Sequence, residues 1–93
     1  MNREQLKVLD NSLMQNGVNQ QLMVCMEEPA ELIQAISKVE RYPDEVDRIE
    51  NVVEEIADVS ICIEYLKMIY NIDQSEVDEM ISQKINRIKE RMN

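Results

Sequence analysis

The sequence has no histidine, no phenylalanine and no tryptophan, and only one glycine, two prolines and two cysteines in 93 residues. Each scarcity excludes something. Without histidine, neither a Glu-x-x-His di-iron motif nor a histidine zinc site can be assembled. So few glycines and prolines leave too little punctuation for a sheet with many turns. Cys25 and Cys62 are too far apart for a C-x-x-C zinc or redox motif. Both sit in apolar helical runs, so each is expected as a free, buried thiol. No stretch approaches the about 18 apolar residues of a membrane span, and no secretory signal pattern opens the chain. The expectation is a soluble, cytoplasmic protein.

What remains is a helix former's alphabet. Hydrophobic residues make up 44% and charged residues 31%, and Glu, Gln, Lys, Leu and Met dominate, all residues that keep rotamer freedom in a helix. The core has to come from Ile, Leu, Val and Met with three Tyr. The composition reads as all-α, a single domain over 1–93, near the small end of what one core supports. Nineteen acidic residues against ten basic ones give a net charge of −9. That balance repels phosphate backbones and anionic lipid, so neither nucleic acid nor membrane is expected as a partner. It suits a hard divalent cation, although most of the acids serve solubility.

Hydrophobic periodicity and cap signals divide the chain into four helices. Asn2 with Gln5 three residues on forms a capping-box pattern, followed by Leu6, Leu9 and Leu13 on one face. Asn16-Gly17 stops this helix, with Gly17 expected in the left-handed conformation. A second helix starts near Val18 or Asn19 and runs to about Arg41. Pro29 falls inside it and frees the carbonyl of Cys25, which predicts a kink rather than a break. Tyr42-Pro43-Asp44 is a turn signal, and Asp44 is expected to cap the third helix, with Glu45 and Asp47 in its first turn. That helix is apolar on two sides, through Ile49, Val53, Ile56 and Ile63 on one and Val52, Val59 and Leu66 on the other. Two neighbours are therefore expected, one of them open to another subunit. The fourth helix follows the acid-capped start Asp73-Gln74-Ser75-Glu76. It carries the stripe Val77, Ile81, Ile85, Ile88 and Met92, with Lys84, Arg87 and Arg91 on a neighbouring face.

The sequence repeats one pattern, Glu-Glu-x-x-acid, at Glu27-Glu28-Pro29-Ala30-Glu31 and at Glu54-Glu55-Ile56-Ala57-Asp58. Helical residues three apart share a face, so Glu28/Glu31 and Glu55/Asp58 are carboxylate pairs. Glu28 and Asp58 stand equally far from Pro43, as do Glu31 and Glu55. An antiparallel helical hairpin turning at Pro43 therefore brings all four acids to one level. Four such charges in a partly buried site repel one another unless a cation neutralises them. With no histidine and no thiolate cluster, all-oxygen coordination favours Mg²⁺, with Mn²⁺ as a substitute. The chemistry expected of that site is hydrolysis of a phosphate ester or anhydride by a metal-activated water. Lys38 at the rim and the Lys84/Arg87/Arg91 face would offset phosphate charge.

Glu27-Glu28-x-x-Glu31, a 23-residue spacer and Glu55-x-x-Asp58 resemble the EExxE–spacer–ExxD signature of MazG-like all-α nucleoside triphosphate pyrophosphohydrolases. The likeness extends to Gly17 and Gln21 upstream, to Ala30-Glu31-Leu32 and Ala57-Asp58-Val59 around the acids, and to the basic last helix. It implies a helical-hairpin core in a homodimer or homotetramer. It also implies Mg²⁺ held by Glu28, Glu31, Glu55 and Asp58, and a (deoxy)nucleoside triphosphate cleaved to the monophosphate and pyrophosphate. Glu27 and Glu54 would stand behind the ligands or hold an extra metal, orienting the attacking water. Base recognition is expected in the groove between subunits, at Gln21, Asn51 and Tyr residues. The competing expectation is a non-catalytic, acidic helical bundle that binds a protein partner.

Overall fold

The computed structural model describes residues 1–92; Asn93, the last residue of the expected domain, lies outside the described residues. The architecture is all-α: α1 spans Arg3–Asn16, α2 Val18–Arg41, α3 Asp47–Ile69 and α4 Gln74–Met92, with no strand among the described residues. No helix is long and apolar enough to cross a membrane among these residues.

Local chemistry sets most of the boundaries. Asn2 and Gln5 form the expected capping box: the Gln5 N–H donates to Asn2 Oδ1 at 2.8 Å and the Asn2 N–H to Gln5 Oε1 at 3.0 Å. Two of the four orphan donors at the start of α1 are thereby satisfied. Gly17 separates α1 from α2 with its N–H bonded to the Leu13 carbonyl. Its φ of 88° and ψ of 155° lie beyond the left-handed helical region expected from sequence, in territory that only glycine occupies comfortably. α2 runs continuously through Pro29, as the uninterrupted hydrophobic pattern predicts.

The start of α3 differs from expectation. Asp44 does not cap it; the helix begins at Asp47 behind Val46, with no side-chain cap. The Glu45 N–H donates to the Tyr42 carbonyl, so Pro43 and Asp44 occupy the two central positions of a β-turn, where both residue types are at home. With Asp44 used in the turn, Glu45 organises the helix entry: it receives Arg48 Nε at 2.7 Å, and the Arg48 guanidinium lies over the Tyr42 ring. α3 ends in a Schellman-type closure, with the Ile72 N–H bonded to the Lys67 carbonyl and Asn71 at φ 54°, the left-handed position that asparagine tolerates after glycine. Asp73 and Glu76 open α4 with a back-bond from the Asp73 N–H to Glu76 Oε2 at 2.8 Å.

Packing concentrates on one pair. α2 lies against α3, α1 packs more lightly on both, and α4 has no comparable interface with any of them. Cys25, Cys62 and Tyr65 form the buried cluster, with Leu9, Leu13, Val24, Ile61, Leu66 and Ile69 around it. Both cysteines are free thiols, as their apolar surroundings predict. Apart from Ala35, no other apolar residue is buried among the described residues, and the α4 stripe of Ile81, Ile85, Ile88 and Met92 is exposed. The Cα radius of gyration is 16.2 Å, against about 12 Å for a compact chain of this length.

Gly17 supplies a test of the α1–α2 connection. A Cβ there would meet nothing within 4 Å, so Gly17→Ala exposes the backbone strain alone. Urea denaturation should show it destabilised by about 1–3 kcal/mol, with an unchanged m-value.

Candidate metal centre

Facing turns of α2 and α3 carry the acids. Glu28, Glu31 and Glu55 each offer a carboxylate oxygen, and these three oxygens lie within 4.8 Å of one another. Glu31 is exposed while Glu28 and Glu55 are half-buried. With both ionised, Glu28 Oε2 and Glu55 Oε2 are shut away from solvent and receive no hydrogen bond. A buried charged oxygen without a donor is costly. The described salt bridges join Glu45 to Arg48 and Glu64 to Lys67, leaving no basic side chain on the cluster among the described residues.

The charge has two remedies. The first is a proton. Burial, and then the Glu31 charge, push Glu28 up from its ordinary 4.5 to about 7; its hydrogen bond to Glu31 and the charges of Asp58 and Glu55 act in the same direction. Glu55 is raised too, by burial and by Glu31, Asp58 and Glu54, while its hydrogen bond with Glu28 opposes the rise. A proton on Glu28 removes one of the clustered charges. The second remedy is a cation, and the donor set fits one: only oxygen ligands, from residues two of which hold an orphaned oxygen, without histidine or thiolate among them.

Asp58 belongs to this neighbourhood without joining the tightest group. Its charge raises both Glu28 and Glu55, yet the converging oxygens are those of the three glutamates. An aspartate is one methylene shorter than a glutamate, so equal distance from the turn does not give equal reach across the interface. The four acids expected at one level therefore comprise a close trio and an adjacent fourth.

Glu27 and Glu54 are exposed, each next to a member of the trio. Gln21 is buried, at 7% exposure, about 10 Å before Glu28 along α2. Lys38 is half-buried at a similar distance beyond Glu31, and Asn51 is half-buried one turn before Glu55. Lys84, Arg87 and Arg91 line a groove with Ile88 on α4, the helix without an interface to the other three, so within one chain they are not gathered around the carboxylates. One pairing escaped the sequence reading: Cys25 and Cys62 meet directly beside the acids. Their near-equal distances from Pro43 were the available signal. Burial, followed by hydrogen bonding with Cys25, pushes the Cys62 thiol up to about 12.

The raised pKa of Glu28 carries a pH dependence. Between pH 4.5 and about 7 the folded chain holds a proton that the unfolded chain has released, so stability falls as pH rises through that window. The contribution is complete below the lower value and lost above the upper one. Metal-free protein should melt at a lower temperature near pH 8 than near pH 5, and Glu28→Gln, a permanent mimic of the protonated form, should flatten the difference. An equal slope in the variant would remove Glu28 as its source. No protein-family model, curated protein or solved structure matches this chain.

Proposed function

We propose that this chain is a Mg²⁺-dependent nucleoside triphosphate pyrophosphohydrolase of the MazG-like kind, built on an antiparallel α2–α3 hairpin and working as a homodimer or homotetramer. The observation that carries the reading is the trio of carboxylates with converging oxygens, two of whose residues also hold a buried oxygen without a donor, with no basic side chain on them among the described residues. Glu28, Glu31, Glu55 and Asp58 are the residues that would hold the cation, with Mn²⁺ as an acceptable replacement. When bound, the ion supplies positive charge against a triphosphate and lowers the pKa of a water.

The protein's own side chains take the remaining roles. Glu27 and Glu54, solvent-exposed beside the ligands, orient the attacking water. Lys38 meets the triphosphate at the rim. A water attacks a phosphorus atom, the bridge between the α- and β-phosphates breaks, and the monophosphate and pyrophosphate leave. Lys84 and Arg87 neutralise phosphate charge from α4, which reaches a carboxylate site through assembly, and Gln21 lies toward the base.

Surface area supports the assembly. The chain exposes 7534 Å², about 2,000 Å² more than a compact monomer of its mass. An excess of that size on each subunit falls in the range of obligate homodimer interfaces. Residues 81–93 hold four basic residues and one acid, so α4's basic end meets attractive charge on the acidic remainder of another copy.

Two measurements test the reading. Incubating the protein with each NTP and dNTP plus Mg²⁺ should release a monophosphate and pyrophosphate from at least one of them. Glu28→Gln and Asp58→Asn should each lower kcat/KM by about 100-fold or more, since even residues behind the ligands of a metal site cost roughly 10- to 100-fold. Turnover of none would favour an acidic bundle that binds a protein partner. Millimolar Mg²⁺ should also raise the melting temperature near pH 8, through binding to the native state alone; an unmoved Tm would argue against the cation site.

A further inference from the structure

The α2–α3 interface holds two nucleophilic side chains that the proposed reaction does not use. Cys25 and Cys62 are free and buried, at 6% and 3% exposure. The two residues share one buried cluster, and the Cys25 thiol donates to the Cys62 carbonyl oxygen at 3.6 Å. They are the only cysteines in the chain, and the fold has brought them together from separate helices. A groove of about 230 Å³, lined by Leu22, Cys25, Met26, Leu66 and Tyr70, opens onto Cys25. A reagent of a few atoms therefore has a route to Cys25, and the second thiol lies in the same buried cluster.

We propose that Cys25 and Cys62 form a dithiol modification site, closed to an intramolecular disulfide by a small hydroperoxide that enters through this groove. The Cys25 sulfur attacks one oxygen of hydrogen peroxide; the O–O bond breaks, Cys25 becomes a sulfenic acid, and the other oxygen leaves as water. The Cys62 sulfur then attacks the Cys25 sulfur, the S–O bond breaks, and that oxygen leaves as a second water with the remaining thiol proton. Two thiols lose two electrons and one peroxide gains them. Cys62 lies in the same buried cluster as Cys25, so a resolving thiol is at hand before a second peroxide must enter. Cys25 lies one turn before Glu28 on α2, and Cys62 one turn after Asp58 on α3, so the bridge ties the two helices together beside the carboxylates. An effect on cation binding rests on the metal reading above; formation of the bridge does not.

The test treats the native full-length protein with dilute hydrogen peroxide, then denatures it and alkylates the remaining thiols. Peptide mapping under non-reducing conditions should join the Cys25 and Cys62 peptides within one chain, with the loss of two hydrogen atoms and with recovery of both thiols in dithiothreitol. Methionine oxidation appears on other masses and does not obscure the linkage. In Cys62→Ser the Cys25 peptide should instead accumulate sulfinic acid. The proposal is overturned if both thiols remain alkylatable in the oxidised protein, if the only linkage joins different chains, or if wild-type Cys25 is over-oxidised while Cys62 stays free. The mapping reads the bridge whether or not the carboxylates hold a cation, so its failure and the failure of the hydrolase reading are separate results.

Discussion

The contact between α2 and α3 is the one on which the rest of the molecule depends. It buries Cys25, Cys62 and Tyr65, and at the same interface it brings Glu28 and Glu31 of α2 against Glu55 of α3. The apolar and acidic parts oppose each other. Burial of the thiols and the tyrosine ring draws the helices together, and that approach removes water from two carboxylate oxygens and raises the cost of their charge. An isolated Glu-x-x-Glu on a solvated helix would have no such tension. The tension, rather than the number of acids, distinguishes this cluster from the other acidic residues of a chain with net charge −9.

Much of the fold was legible because it is written locally. The Asn2/Gln5 box, the stop at Gly17, the resumption at Val18 and the exit near Tyr70-Asn71 each depend on a few neighbouring residues, and the structure has them all. The entry to α3 was misread because Asp44 is equally suited to a cap and to the centre of a β-turn; Pro43 immediately before it decides for the turn. Three of the four acids were legible as a converging group from helical spacing and a pivot. Spacing along the chain measures position along a helix but not reach across an interface, which is why Asp58 stands beside the trio. The proton on Glu28 and the thiol pair required burial, a property of facing helices that no single helix displays.

The apolar surface is unevenly covered. Residues such as Met26, Ile33, Ile49, Val53 and Ile56 follow helical periods and yet are exposed, alongside a radius of gyration well above the compact value. A periodic apolar stripe is costly to leave in water along its whole length. The α2–α3 pair covers one face of each helix and leaves the others exposed. The sequence pattern matches this exposure: α3 is apolar on two sides, and one chain supplies a single major neighbour for it.

The separation of α4 has a consequence for motion. An isolated helix of 19 residues sits at the margin of stability in water, because nucleation is costly and propensity alone gives little back. Within a single copy α4 is tied mainly at its first turn, where Lys67 donates to Gln74 Oε1. Its backbone amides toward Met92 would then exchange with solvent almost as freely as those of a peptide, while those around Cys25 and Cys62 open only with the fold itself. Hydrogen exchange along α4 becomes a gauge of whether anything covers its apolar stripe: rapid in a lone chain, slow once a surface settles on Ile81, Ile85 and Ile88.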